Sequence, residues 1–437
     1  MTMWKRAAAS TLAVVMLGAA LAGCSGSSDK TTPAPATNTP APAAEKKEIN
    51  VFNLKVEIDP ALKVLAADYE KEKGVKVNIK SCGGGCDYGA QLKAEFQSGK
   101  EPDVFVIGGP GELELWKHKV ADMSGEKWVA QVNPDLLGLK LDGKIVGFPV
   151  AIEGYGLIYN KAILDKAGVK PEEIKSYATL EAAFKAIDAK KKDLGLDAVV
   201  SLTTKETWVT GLHNLNILFA ARDNATQFTQ DVFAGKVDLT KDSVAKDYAK
   251  MFKLLVDYSD KAKLESNDYN AQVAAFGTSK TAFLHQGNWV YPNLKDLQVT
   301  FDMGFVPLAI NDTKYANAIP VGVPSYYVVN KDSKFAAESK AFLEYIAMTE
   351  RGHKYMISEA FMVPAFKNVK LEPTDPLAKS IMKFNAEGRT LTWQFTSWPD
   401  GWGMREIGPM LAQFAKDGNA DKLLGDMDTA AKAAVKK

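Results

Sequence analysis

Past residue 47 the chain alternates between two periods of apolar residues. Residues 49–54 form a short run of strand formers, and residues 59–73 follow with Leu62, Leu65, Ala66 and Tyr69 at helical spacing. A second strand is predicted over 75–79 and a helix over 90–98. Asp103-Val104-Phe105-Val106-Ile107 is a continuous apolar run between Pro102 and Gly108, as in a strand covered on both faces. The opening thus reads β-α-β-α-β, which places the chain in the α/β class. Helical spacing returns at Val244, Tyr248, Met251, Phe252 and Leu255, with short strands predicted over 281–284, 303–306 and 326–329. The last quarter reads as helices over 335–348, 376–387, 404–416 and 420–435.

The first residues follow neither period. Lys5 and Arg6 precede an apolar run over 7–22 that ends in Leu21-Ala22-Gly23-Cys24. The run is too short and too alanine-rich for a spanning helix, so residues 1–23 are expected to be a secretory signal peptide. The Leu-Ala-Gly-Cys ending resembles the bacterial lipobox, in which the cysteine is alkylated by diacylglycerol and becomes the first mature residue. Cys24 is then the lipid anchor on the extracytoplasmic face of the cell membrane; an ordinary secreted protein is the alternative. Residues 24–47, with Pro33, Pro35, Pro40 and Pro42, lack the apolar side chains of a core and read as a disordered tether.

The remaining stretch of roughly 390 residues exceeds what one hydrophobic core usually organises, so two lobes are expected. Lys and Arg number 54 against 53 for Asp and Glu, with no long basic run, which argues against nucleic acid and for a neutral ligand. In an oxidising compartment, Cys82-Gly83-Gly84-Gly85-Cys86 reads as a small disulfide-closed loop. A metal site there lacks further ligands, and no metal or cofactor is expected. Nucleophile-elbow, zinc-protease, P-loop and dinucleotide-binding motifs are all missing, and the four histidines are scattered.

Several segments, in order, resemble the family of bacterial extracellular solute-binding proteins that includes maltose-binding and multiple-sugar-binding lipoproteins. They are Phe96 to Phe105 with its Pro-Asp-Val step, Asp142-Gly143-Lys144 leading to Phe148-Pro149, and Glu153-Gly154-Tyr155-Gly156 closing on Tyr159-Asn160-Lys161. Ala275 to Phe283 with Gly287-Asn288-Trp289, then Val321-Gly322-Val323-Pro324 and Thr349-Glu350-Arg351-Gly352, continue the series. The resemblance implies a two-lobed, periplasmic-binding-protein-like clamshell with hinge crossings, residues 48–155 plus 322–372 forming one lobe and 156–321 plus 373–437 the other. It implies a monomeric receptor that captures a sugar in the cleft, passes it to an ABC transporter permease and catalyses nothing. Gly154 and Gly156 make a hinge at the first crossing physically reasonable.

A sugar presents apolar faces and hydroxyl rims, so its site needs aromatic platforms beside carboxylates and amides. By resemblance, Trp289 and one of Trp398 or Trp402 are stacking platforms, Trp208 is a third, and Glu153 binds hydroxyls at the crossing. Trp402, between Gly401 and Gly403, is expected on a surface loop with Asp400, whereas Trp393 is expected in the core. Lys55 and Glu57 resemble polar residues aimed into the cleft from the first lobe. Asp87, Glu112, His213, Asn214 and Asn288 complete the candidates. A secreted glycoside hydrolase, a cell-wall adhesin and a peptide-binding receptor of the same fold are the competing readings. The sequence details look most like the branch that binds raffinose-type α-galactosides.

Overall fold

The computed structural model describes residues 46–434; the signal peptide, Cys24 and nearly all of the tether lie outside them. Strand β1 (Glu48–Asn53) leads through one 3-10 turn (Val56–Ile58) into α1 (Asp59–Lys73). Leu62, Leu65, Ala66 and Tyr69 of α1 are buried, and Gly74 ends the helix in the left-handed conformation at φ 68°. Strand β2 (Lys76–Ser81), helix α2 (Tyr88–Gln97), strand β3 (Val104–Ile107) and helix α3 (Pro110–Trp116) follow. All four residues of β3 are buried, which explains its unbroken apolar run.

A small hairpin, β4 (Lys140–Leu141) and β5 (Lys144–Ile145), turns at Asp142-Gly143, both with positive φ. Beyond it come β6 (Phe148–Pro149), β7 (Glu153–Asn160), β8 (Ala198–Ser201), β9 (Thr281–Gly287), β10 (Met303–Val306), β11 (Ile319–Gly322), β12 (Tyr326–Val329) and β13 (Thr390–Leu391). The first sheet has the order β2-β1-β3-β12-β6, with β1 parallel to both β2 and β3. The second runs β13-β11-β7-β9-β8, with β10 also paired to β7. Each sheet has its own core, one around Trp128, Phe148 and Phe366, the other around Phe184, Phe252 and Phe283.

The chain enters the second sheet between β6 and β7 and returns between β11 and β12. Those two passages are stitched together, because Val321 pairs with Gly154 and Gly322 with Glu153. Gly154 and Gly156 are accounted for by close packing. A Cβ on Gly156 would lie 2.7 Å from the Val306 carbonyl oxygen, and one on Gly154 would lie 3.0 Å from the Ile381 side chain. A third passage ends at Asp375, whose side chain caps the helix Pro376–Ala386 by accepting from the Ala378 N–H at 2.7 Å.

Burial pushes the Asp375 carboxyl up to about 6, against the pull of the backbone donors at the helix start. Its folded value exceeds its unfolded one, so its contribution to stability is present at acid pH and is lost as pH rises from about 4 to about 6. Asp375→Asn keeps a capping oxygen without the charge. In denaturant unfolding this variant should gain roughly 2–3 kcal/mol relative to wild type between pH 4 and pH 7. A difference that does not change with pH would contradict the assignment.

Candidate functional site

The end of β1 is turned by a short polar lock. Asn53 Nδ2 donates to the Lys55 carbonyl at 2.7 Å, the Lys55 N–H donates to Asn53 Oδ1 at 3.2 Å, and the Tyr327 hydroxyl donates to the same oxygen at 2.9 Å. This aims the Lys55 ammonium at Glu57 Oε1, 2.8 Å away, and at Glu153 Oε1, 2.5 Å away. Glu57 stands on the first-lobe turn and Glu153 opens β7, so the cation joins the two sheets' territories. All three side chains are more than nine-tenths buried. Burial works against the charge on Lys55, but the two carboxylates outweigh it and hold the ammonium above its ordinary value. Burial raises the Glu153 carboxyl, opposed by Lys55.

Beside this triad is a wall of rings. Trp289 is buried and its ring centroid lies 6.0 Å from the Lys55 Nζ. Its Nε1–H donates to Gln286 Oε1 at 3.0 Å, and a Cβ on Gly287 would fall 2.1 Å from the indole, so glycine there gives the ring its place. His213 stacks on Tyr155 at 4.6 Å and lies 4.8 Å from Trp289 and 5.4 Å from Trp208. Burial, then His285 and Lys55, hold the His213 imidazole well below its usual value, so it is neutral at pH 7. Trp208 Nε1–H donates to Glu206 Oε2 at 2.9 Å, while Glu206 Oε1 accepts from the Tyr269 N–H at 3.1 Å.

The structure thus brings Lys55, Glu57, Glu153, Trp208, Trp289 and His213 together. Glu206 and Tyr269, which bond within this cluster, were not among the candidates read from the sequence. The signal for Glu206 was its place two residues before Trp208, and Tyr269 had none, since its neighbourhood arises from tertiary packing. The Tyr269 phenol is pushed well up by burial and then by Glu57, Glu153 and Glu206.

The expected surface loop around Trp402 is corrected. Trp402 begins a wide helical turn (Trp402–Ile407) and is 2% exposed, edge-on to Phe233 at 4.9 Å and to Trp398 at 5.1 Å. Gly403 reflects close packing, because a Cβ there would lie 2.4 Å from the Gly211 carbonyl oxygen. Trp398 is equally buried, 4.7 Å from Phe219. Trp393, expected in the core, is buried but joins the His213 wall at 5.4 Å.

The other candidates have structural partners, except Asn214, whose buried amide nitrogen and oxygen have none. Asp87 is an exposed N-cap of α2, accepting from the Ala90 N–H at 3.0 Å. Asn288 Oδ1 accepts from the Gly154 N–H at 3.0 Å and so ties the end of β9 to the crossing strand. Asn214 is fully buried. Glu112 accepts from the Gly108 N–H at 2.9 Å, and burial raises its carboxyl. Asp400 pairs with Arg405 at 2.7 Å and faces Lys93 of α2 at 3.6 Å. The start of α3 also touches the second lobe, since a Cβ on Gly111 would fall 2.3 Å from the Trp398 carbonyl oxygen. Among the described residues, no group of three or more histidine, cysteine or carboxylate side chains is arranged to hold a metal, and no helix is long and apolar enough to cross a membrane.

The model of the bacterial extracellular solute-binding proteins matches residues 64–382. The chain belongs to that family. This solute-binding protein is 25% identical over 365 residues to a multiple sugar-binding protein of Streptococcus mutans, covering 81% of this chain and 83% of the relative. It is 24% identical over 318 residues to a melibiose/raffinose/stachyose-binding protein of Bacillus subtilis, covering 70% and 71%. Its fold is that of a solute-binding protein solved with raffinose, at a TM-score of 0.76 and 20% identity over 89% of this chain and 99% of the other. A chitin oligosaccharide-binding protein shares the fold at a TM-score of 0.73, 19% identity and the same coverage. These neighbours have the two-lobed architecture that the sequence implied.

Lys55→Met would leave Glu57 and Glu153 as buried carboxylates without their cation. Unfolding of this variant at pH 7 should require roughly 3–5 kcal/mol less than wild type, and the deficit should shrink at pH 5 as Glu153, whose carboxyl burial raises, takes up a proton. Equal stability at both values of pH would show that the pair is not coupled to the lysine.

Proposed function

We propose that this protein is the extracytoplasmic receptor of an ABC importer, lipid-anchored through Cys24, that captures an oligosaccharide between its lobes and delivers it unchanged to the membrane permease. The observation that carries the reading is the juxtaposition of the Lys55, Glu57 and Glu153 triad with the Trp208, Trp289 and His213 wall. Charged oxygens and an ammonium satisfy sugar hydroxyls, and indole faces cover the C–H faces of the ring. The names of the relatives point to sugars of the multiple-sugar and raffinose type.

Ligand would meet groups from both lobes at once, so it favours the closed arrangement by its differential affinity for it. Lys55 and Glu57 come from the first lobe, while Trp208 and Trp289 come from the second, and Glu153 stands on the strand between. The tether over 24–47 would keep the receptor near its permease. A monomer suffices, because both faces of the cleft belong to one chain.

A hydrolase would use paired carboxylates among aromatics, and burial does raise Glu153. Both Glu57 and Glu153 are, however, engaged by one lysine, an arrangement that suits binding. The purified protein screened by thermal shift against mono-, di- and trisaccharides, including raffinose, with peptides as controls, decides between the readings. Stabilisation by a sugar recovered intact is expected, whereas cleavage would favour the hydrolase and stabilisation by peptides alone would discard the sugar.

Trp289→Ala should weaken the best sugar by about tenfold or more, read by titration calorimetry. Trp402→Phe should leave that affinity close to wild type. The reverse ranking would move the platform to the second position.

A further inference from the structure

The ring closed by Cys82 and Cys86 lies against the segment that carries Lys55. The two cysteines form a disulfide with Cα atoms 5.5 Å apart. The Cys82 N–H donates to the Asn53 carbonyl at 2.9 Å, extending the β1 to β2 ladder to the residue that locks the Lys55 turn. A Cβ on Gly83 would fall 2.2 Å from the Leu54 carbonyl oxygen, and one on Gly84 would stand 3.5 Å from Val56. Leu54 and Val56 flank Lys55, so the glycines let the ring press directly on the backbone that aims the ammonium. On the far side, a Cβ on Gly85 would stand 3.7 Å from Glu206 Oε1 in the second lobe. Bare backbone faces that carboxylate.

We propose that the Cys82–Cys86 ring is a positioning and specificity element of the ligand cleft, holding the Leu54 to Val56 segment from behind and walling the cleft opposite Glu206. The proposal rests on the sugar-binding reading. So short a loop constrains few residues of the unfolded chain and adds little global stability. Its effect falls on preorganisation, which sets affinity by reducing the ordering that binding must supply. The absence of a side chain at Gly85 leaves room beside Glu206 that a larger residue would take from the ligand.

The test compares wild type, the double variant Cys82→Ser with Cys86→Ser, and Gly85→Asn, which keeps the disulfide and places a side chain toward Glu206. Gly85 is exposed and has a φ of 97°, a left-handed region where asparagine is among the better tolerated residues. Thermal melting and calorimetric titration with the sugars selected by the screen are measured for each. The double variant should melt close to wild type and bind about tenfold more weakly. Gly85→Asn should change the ranking among sugars of different size. A folded double variant with unchanged affinity, together with an unchanged ranking for Gly85→Asn, overturns the proposal. If the double variant does not fold, an unchanged ranking for Gly85→Asn overturns it alone. Failure of wild type to bind any sugar removes the underlying reading, and that result is visible before any variant is compared.

Discussion

A lysine held between two carboxylates, away from water, is the constraint around which the candidate site is built. Removing charges from water is costly, and the cost is offset only where geometry and further hydrogen bonds are good. Here the geometry is imposed by Asn53, which fixes the Lys55 backbone, and by Tyr327, which fixes Asn53 from β12, on the other side of β3. Glu153 reaches the same ammonium from the first residue of the strand that enters the second sheet. The two lobes therefore share one electrostatic centre at the point where the chain passes between them.

The aromatic wall depends on this centre and on glycine. Trp289 finds its place because Gly287 has no side chain, and Gln286 holds its indole N–H. His213, kept neutral, behaves as another flat ring in the stack. Trp398 and Trp402 lie deeper, against Phe219 and Phe233, and support the wall's foundation.

Much of the fold was legible because its elements carry strong periodicity. Helix α1 was expected over 59–73 and occupies Asp59–Lys73, and the buried strand at Val104–Ile107 announced itself by an unbroken apolar run. The expected helix over 404–416 instead begins with the wide turn Trp402–Ile407 before Gly408–Asp417. Local pattern does not encode the approach of Gly211 that forces this arrangement. The same blindness explains the misreading of Trp402, since glycines at 401 and 403 look alike whether they make a loop or admit a neighbouring backbone. Lys55, Glu57 and Glu153 were named from resemblance, but their ion pairing is a tertiary fact. Glu206 and Tyr269 became visible once residues far apart in sequence were packed together.

The most direct measurement is a crystal structure of the protein with the sugar that stabilises it most. The account predicts a sugar ring lying against Trp289 or Trp208, with hydroxyls within hydrogen-bond distance of Lys55, Glu57, Glu153 or Glu206. A sugar seated elsewhere, with the Lys55 triad and the His213 wall untouched, would contradict it.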